Sequence, residues 1–342
     1  PDLWYNSDAL GANSPNPEWI DNDGYIHVRM RNRDAQKATA PGKIVLYWTV
    51  ASTGEVWSED WVDDGIDDCV IGNIIGKIDV PPIPAGTPQG QVFDFHWTSL
   101  PNSGTTNPTN CAGQMNTISG GNIEMCLLAR FISELDPIAD ERLNEDLINY
   151  NVTRNNNIVT RNTVYMLPGL YIGGVLVPGI PSVIHIKNNN NFATQLNFLV
   201  QSVVKLSTAQ QSQYYFDLVF TQSLWDKWTS TGSQGIGVTI LEDKLVRITN
   251  FNTAKLLNIP MLANERQGIG LRLTRIGTGK NDNFTPNPDF KLIVTHEASD
   301  PNTIIAPPSS CILLERENKA LQTAHSTNIQ LYPNPATNQL TV

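Results

Sequence analysis

In the stretch Tyr25-Ile26-His27-Val28-Arg29-Met30-Arg31, the apolar Ile26, Val28 and Met30 alternate with polar neighbours. Period two marks a strand with one face in a core, because successive side chains leave the backbone on opposite sides. The pattern returns at Phe93, Phe95 and Trp97, at Tyr214, Phe216, Leu218 and Phe220, and at Phe290, Leu292 and Val294. Residues 44–50, with Tyr47 and Trp48, are almost continuously apolar and read as a central sandwich strand. Further strands are expected at 123–133 and 158–167. A second series follows at 183–187, 196–205, 237–241, 245–250 and 269–276.

Turn chemistry separates these runs. Asp21-Asn22-Asp23-Gly24 offers a turn, residues 81–86 form a Pro-rich connector, and 101–121 is a polar loop. Residues 136–150 suit a helical turn or a long loop. Ser223 is placed to cap a single helical turn that carries Trp225 and Trp228 as plugs over the second core. Short strands spaced by turns argue for an all-β chain of tandem immunoglobulin-like β-sandwich domains. The expected division is 1–168 and 169–299, then a linker at 300–328 with some helical propensity over 311–323.

Asp and Glu (33) outnumber Lys and Arg (23), giving a net charge of −10 with no basic stripe, so nucleic acid is not an expected partner. No apolar run reaches the roughly 18 residues of a membrane span. Of the four cysteines, Cys126 lies in an apolar strand and reads as a small core residue. Cys69 and Cys111 sit in polar loops and are the expected disulfide, one of three full pairings open with Cys311.

Motif chemistry is sparse. The five histidines are dispersed, with no His-Glu-x-x-His arrangement, and His27, His96, His185 and His296 are expected on solvated or hydrogen-bonded strand faces. There is no nucleophile elbow or P-loop; Gly277-Thr278-Gly279-Lys280 reads as a hairpin turn and Gly268-Ile269-Gly270 as strand. The densest acidic cluster, Asp63, Asp64, Asp67 and Asp68, reads either as a solvated loop or as a calcium site, since oxygen-rich loops suit that hard cation. Asp21 with Asp23 is a lesser alternative. Trp57 and Trp61 flank the acidic loop, either as a platform for stacking sugar rings or as loop packing. No cofactor is expected beyond calcium at those carboxylates.

Two family resemblances add to this. Leu331, Tyr332, Pro333, Asn334, Pro335, Ala336 and Thr337, within 329–342, resemble the opening strand of the type A C-terminal sorting domain. That domain marks cargo of the type IX secretion system of Bacteroidetes, and the segment looks like its truncated start. The resemblance implies the type IX machinery as a partner and an extracellular or outer-membrane-surface location after passage through the periplasm. An exported chain is then expected to have lost an N-terminal signal, or to be a piece of a longer protein. Over residues 1–168, Pro1-Asp2-Leu3-Trp4, Val28-Arg29-Met30-Arg31-Asn32, Val45-Leu46-Tyr47-Trp48, Trp57 with Trp61, and Cys126-Leu127-Leu128-Ala129-Arg130 resemble a CARDB-type module. Asn151-Val152-Thr153-Arg154 and the asparagines after it complete the set. This immunoglobulin-like sandwich, named for bacterial cell adhesion, is appended to secreted bacterial proteins and implies a binding or scaffold role.

The function expected from these readings is a secreted or surface non-catalytic β-sandwich protein, acting in adhesion to a surface glycan or protein, or as a spacer. Two alternatives stand beside it. One is the accessory C-terminal region of a larger secreted protease or glycosidase, with its catalytic domain upstream. The other is a calcium-stabilised carbohydrate-binding adhesin.

Overall fold

Strands dominate because the period-two runs each find a partner sheet. The computed structural model describes residues 3–6, 24–32, 34–62, 71–97, 122–123, 125–138, 155–161, 163–166, 169–172, 175–177, 181–276, 291–303, 305 and 311–315. The early strands are β1 (Leu3–Asn6), β2 (Gly24–Asn32), β3 (Gly42–Val50), β4 (Gly72–Val80), β5 (Thr87–Trp97), β6 (Asn122–Ile123), β7 (Met125–Ile132) and β8 (Ile158–Arg161). Next come β9 (Thr163–Met166), β10 (Gly169–Ile172), β11 (Val175–Val177), β12 (Ser182–Lys187), β13 (Thr194–Ser202) and β14 (Tyr214–Phe220). The last are β15 (Gly235–Ile236), β16 (Val238–Glu242), β17 (Leu245–Ile248), β18 (Lys255–Met261), β19 (Arg266–Ile276), β20 (Lys291–Ala298) and β21 (Cys311–Glu315). Two short helices, α1 (Thr208–Gln211) and α2 (Gln222–Ser230), join the strands around β14. No helix among the described residues is long and apolar enough to cross a membrane.

The first sandwich pairs a sheet ordered β1-β2-β5 with one ordered β4-β3-β7-β8. Leu3, Ile26, Val28, Phe93 and Phe95 from one face meet Ile44, Leu46, Leu127, Ala129 and Phe131 from the other. Seven strands in two antiparallel sheets are the immunoglobulin-like arrangement. The near-continuous apolar reading of residues 44–50 now has its cause, since both faces of β3 are covered. Ile44 and Leu46 point into the first core, while Val45 and Tyr47 belong to the second hydrophobic cluster.

The second sandwich sets the sheet containing β16-β17-β14-β19-β12 against the sheet β15-β18-β13-β20-β21-β9. From β12 to β15 each strand lies in the opposite sheet from its predecessor, and the same holds from β17 to β20. The chain thus crosses the sandwich repeatedly, the winding of a jelly roll rather than that of the first sandwich. Tyr214, Phe216, Leu218 and Phe220 line one buried face as their alternation predicts.

Four local expectations are corrected. The helix after β14 starts one residue beyond Thr221, not at Ser223: the Thr221 hydroxyl accepts from Leu224 N, and the helix runs two turns to Ser230. Trp228 is fully buried against Phe220, with ring centroids 5.3 Å apart, and Trp225 packs partly buried beside them. Lys255–Met261 is a strand that period reading misses. Asn258 there has a left-handed φ of 60° and Pro260 lacks a donor, and both interrupt the pattern. The partner strand shifts register between Leu196 and Phe198, and Asn197 Oδ1 accepts from Asn258 N at 3.1 Å, which absorbs the irregularity. Gly72–Val80 is likewise an unforeseen strand, its alternation broken by Gly72 and Gly76. Finally, Cys311–Glu315 is not linker or helix but strand, antiparallel to β20 and parallel to β9. An available sheet edge outweighs the modest helix preference of that run.

The buried joint between the sandwiches as candidate functional site

Residues 51–62 leave β3 and dock against the second sandwich. Thr53 N donates to His185 O at 2.9 Å and His185 N to Ala51 O at 2.8 Å, so Ser52 forms a parallel bridge to the free edge of β12. β6 covers the neighbouring part of that edge, pairing in parallel with Ser182 and Val183. A sheet of the second sandwich is therefore completed by backbone from the first. This satisfies donors and acceptors that an uncovered edge would present.

Charge is concentrated beneath this bridge. Asp60 is 1 % exposed, and its carboxylate accepts from Val56 N at 2.8 Å and from Lys187 Nζ at 3.0 Å to both oxygens. Arg266 Nη2 donates to the same carboxylate. Lys187, 3 % exposed, also reaches Glu59 at 3.4 Å. Lys187 and His185 share one face of β12 by strand alternation, and β19 lays Arg266 opposite Lys187. Burial pushes the Asp60 carboxyl up, but Arg266, Lys187 and the Val56 N–H together outweigh it and hold it below the usual carboxylate range.

Two histidines are held neutral here. Burial, followed by the positive charge of Arg266, lowers His185 to about 3, and burial alone lowers His296 to about 4. His296 Nδ1 lies 2.8 Å from the Thr53 hydroxyl, a second tie between the docking segment and β20. Gly54 packs on the Asn189 amide, where a Cβ would meet Nδ2 at 2.7 Å. Gly72 is required where β4 begins, because a Cβ there would run into the Asp60 carbonyl and lie 2.7 Å from that of Trp48.

Trp57 and Trp61 belong to this joint. The Arg130 guanidinium covers the Trp57 ring at 3.8 Å, and Tyr47 meets it edge-on at 5.1 Å. Trp61 is wholly buried, and both rings join the cluster that continues through Ile184, Ile186 and Phe198. Neither indole presents a face on which a sugar can stack. Cys126 is a buried thiol on the same outer face of β7. Asp63, Asp64, Asp67, Asp68, Cys69, Cys111, Asp21, Asp23 and the segment 331–337 lie outside the described residues. Among the described residues no group of three or more His, Cys, Asp or Glu gathers in a metal-holding arrangement.

Sequence reading missed Asp60, His185, Lys187 and Arg266 as a group. The partners of Asp60 are 127 and 206 residues away, so no local spacing links them. The available signals were an acidic pair between two tryptophans and a lysine ending an apolar strand. Chemically, the Asp60 carboxylate is enclosed by donors, which suits docking rather than proton transfer, while His185 Nε2 is buried with no partner among the described residues.

Comparison with known proteins adds little. No family model matches the chain, and no curated protein does. Among solved structures, the chain is similar to the collagen adhesin from S. aureus at 9% identity, over 92% of this chain and 91% of that one. The TM-score of 0.17 is too low for that likeness to bear on fold or function.

Proposed function

We propose that this chain is an exported, non-catalytic binding protein in which two β-sandwiches are locked in one relative orientation. It presents a surface to a glycan or protein, or spaces its neighbours. The observation that carries the reading is the joint itself. A hinge between independent modules has no use for a desolvated carboxylate held by two cations, whereas a scaffold that must keep its faces in register does. The seven-strand first sandwich fits the binding or scaffold role that the CARDB-type resemblance implies. Export by the type IX route is proposed from the resemblance of Leu331–Thr337 alone.

The direct test is a glycan and surface-protein binding screen on the purified chain, run with calcium and with chelator, beside a panel of hydrolase substrates. Specific binding without turnover is expected. Robust turnover abolished by one point mutation would sink the reading. For the route, changing Pro333 and Pro335 together to Ala is expected to abolish export from a type IX-competent bacterium, and unchanged export would count against it.

A further inference from the structure

The outer face of the sheet β16-β17-β14-β19 carries a second charged group, away from the core that Phe216 and Leu218 fill. Thr239, Arg247, Asp217 and Arg272 stand side by side across four strands. Asp217, 2 % exposed, accepts from Arg247 Nε at 2.8 Å and Nη2 at 3.2 Å, and from Arg272 Nη2 at 3.0 Å. Arg247 also lies 4.0 Å over the Tyr215 ring. The side chains of Arg247 and Arg272 remain 25% and 21% exposed.

We propose that these two arginines anchor an acidic polysaccharide through a sugar carboxylate or sulfate. This rests on the reading of the chain as a binding protein and names the ligand class. Among the described residues, Asp217 is the one carboxylate paired with either arginine, so the group keeps a net positive charge within a chain of net charge −10. Asp217 occupies the Nε–Nη2 edge of Arg247 and a single nitrogen, Nη2, of Arg272. The Nη1 groups of both, with Nε of Arg272, remain for a ligand, and a guanidinium fork matches a carboxylate or sulfate. Asp217 and Tyr215 already fix the plane of Arg247, and Asp217 tethers Arg272 at one nitrogen, so part of the rotamer freedom is lost before binding.

The spacing of the row across the sheet favours a glycan. Its donors step across strands spaced about 4.8 Å apart, close to the advance of one sugar ring along an extended chain. The exposed Thr239 continues the row as a neutral hydrogen-bonding group. A dense polyphosphate would meet more repulsion from this acidic chain than a polymer with one charge on each sugar or two.

The test is affinity electrophoresis of the whole chain through gels holding polygalacturonate, a sulfated glycan, or neutral dextran. Retardation by either acidic polymer, weakened by salt and absent in dextran, is expected, and the stronger of the two tells carboxylate from sulfate. Arg272→Gln keeps the bidentate Arg247–Asp217 pair, so the variant should still unfold cooperatively, though at a lower temperature, and should bind about tenfold or more weakly when compared well below its melting temperature. If that variant does not fold, Arg272→Lys, which keeps the charge but not the fork, should bind more weakly than wild type. A wild type that passes both acidic gels unretarded, or an Arg272→Gln retarded equally, overturns the assignment. Binding to neutral glycans or a surface protein in that case leaves the binding reading standing, and binding to nothing in the screen overturns both.

Discussion

Asp60 illustrates how one side chain can set an interface without adding much net stability. Taking a carboxylate and two cations out of water costs several kcal/mol per ion, and their attraction roughly offsets it. Removing one partner is different, because the others stay buried and uncompensated. Asp60→Asn leaves Lys187 and Arg266 facing a neutral amide. Denaturant unfolding should show a loss of about 3–5 kcal/mol, and a loss below 1 kcal/mol would mean that water already reaches the site. The depressed Asp60 pKa adds stability that is present above 3.8 and lost as pH falls through its lower folded value. The histidines act at higher pH. His185 and His296 stay neutral to about 3 and about 4 in the folded chain, yet protonate near 6.5 when exposed. Between about 6.5 and 4 the unfolded state binds two more protons, so stability falls with falling pH by about 1.4 kcal/mol per unit for each ring. His296→Gln should remove about half of that slope in melts across this range, and an unchanged slope would show that His296 is not held neutral.

At the scale of elements, the helix cap gives a clean contrast. Thr221 caps α2 through its hydroxyl, whereas Ser223 lies within the helix. Thr221→Ala should cost about 1 kcal/mol, whereas Ser223→Ala, at an exposed position inside the helix, should be neutral or stabilise by a few tenths; equal losses in paired unfolding curves would refute the assignment. The same helix shows what sequence could and could not reveal. Its tryptophans over the second core were legible because two large apolar rings on a short segment must be covered by something. Its start was not, since Thr221 and Ser223 are both good capping residues and only the end of β14 at Phe220 decides between them. Strands 25–31, 92–97 and 214–220 were legible because one face of each is simply apolar. β18 was hidden by Asn258 and Pro260, whose irregularity is answered by Asn197 in another strand. β21 was hidden because its strand state depends on the edge of β20 and on β9, more than a hundred residues earlier. The candidate joint was least legible of all: Trp57 and Trp61 drew notice as aromatic rings, while the carboxylate between them carried the long-range contacts.

At the scale of the whole molecule, the two sandwiches share more than an interface. The second hydrophobic cluster runs from Val45, Tyr47, Trp57 and Leu128 into Ile184, Phe198 and Leu271. Residues 51–53 and β6 complete the edge of β12, and β9 pairs with β21 at the far side of the other sheet. A continuous core and shared sheets couple the units, so they should lose structure together rather than as beads on a string. The most direct measurement is scanning calorimetry of the wild type and of Asp60→Asn. The account predicts one wild-type transition whose calorimetric and van't Hoff enthalpies agree, and a lower, split transition in the variant as the sandwiches uncouple. Two independent wild-type transitions, left in place by Asp60→Asn, would contradict it.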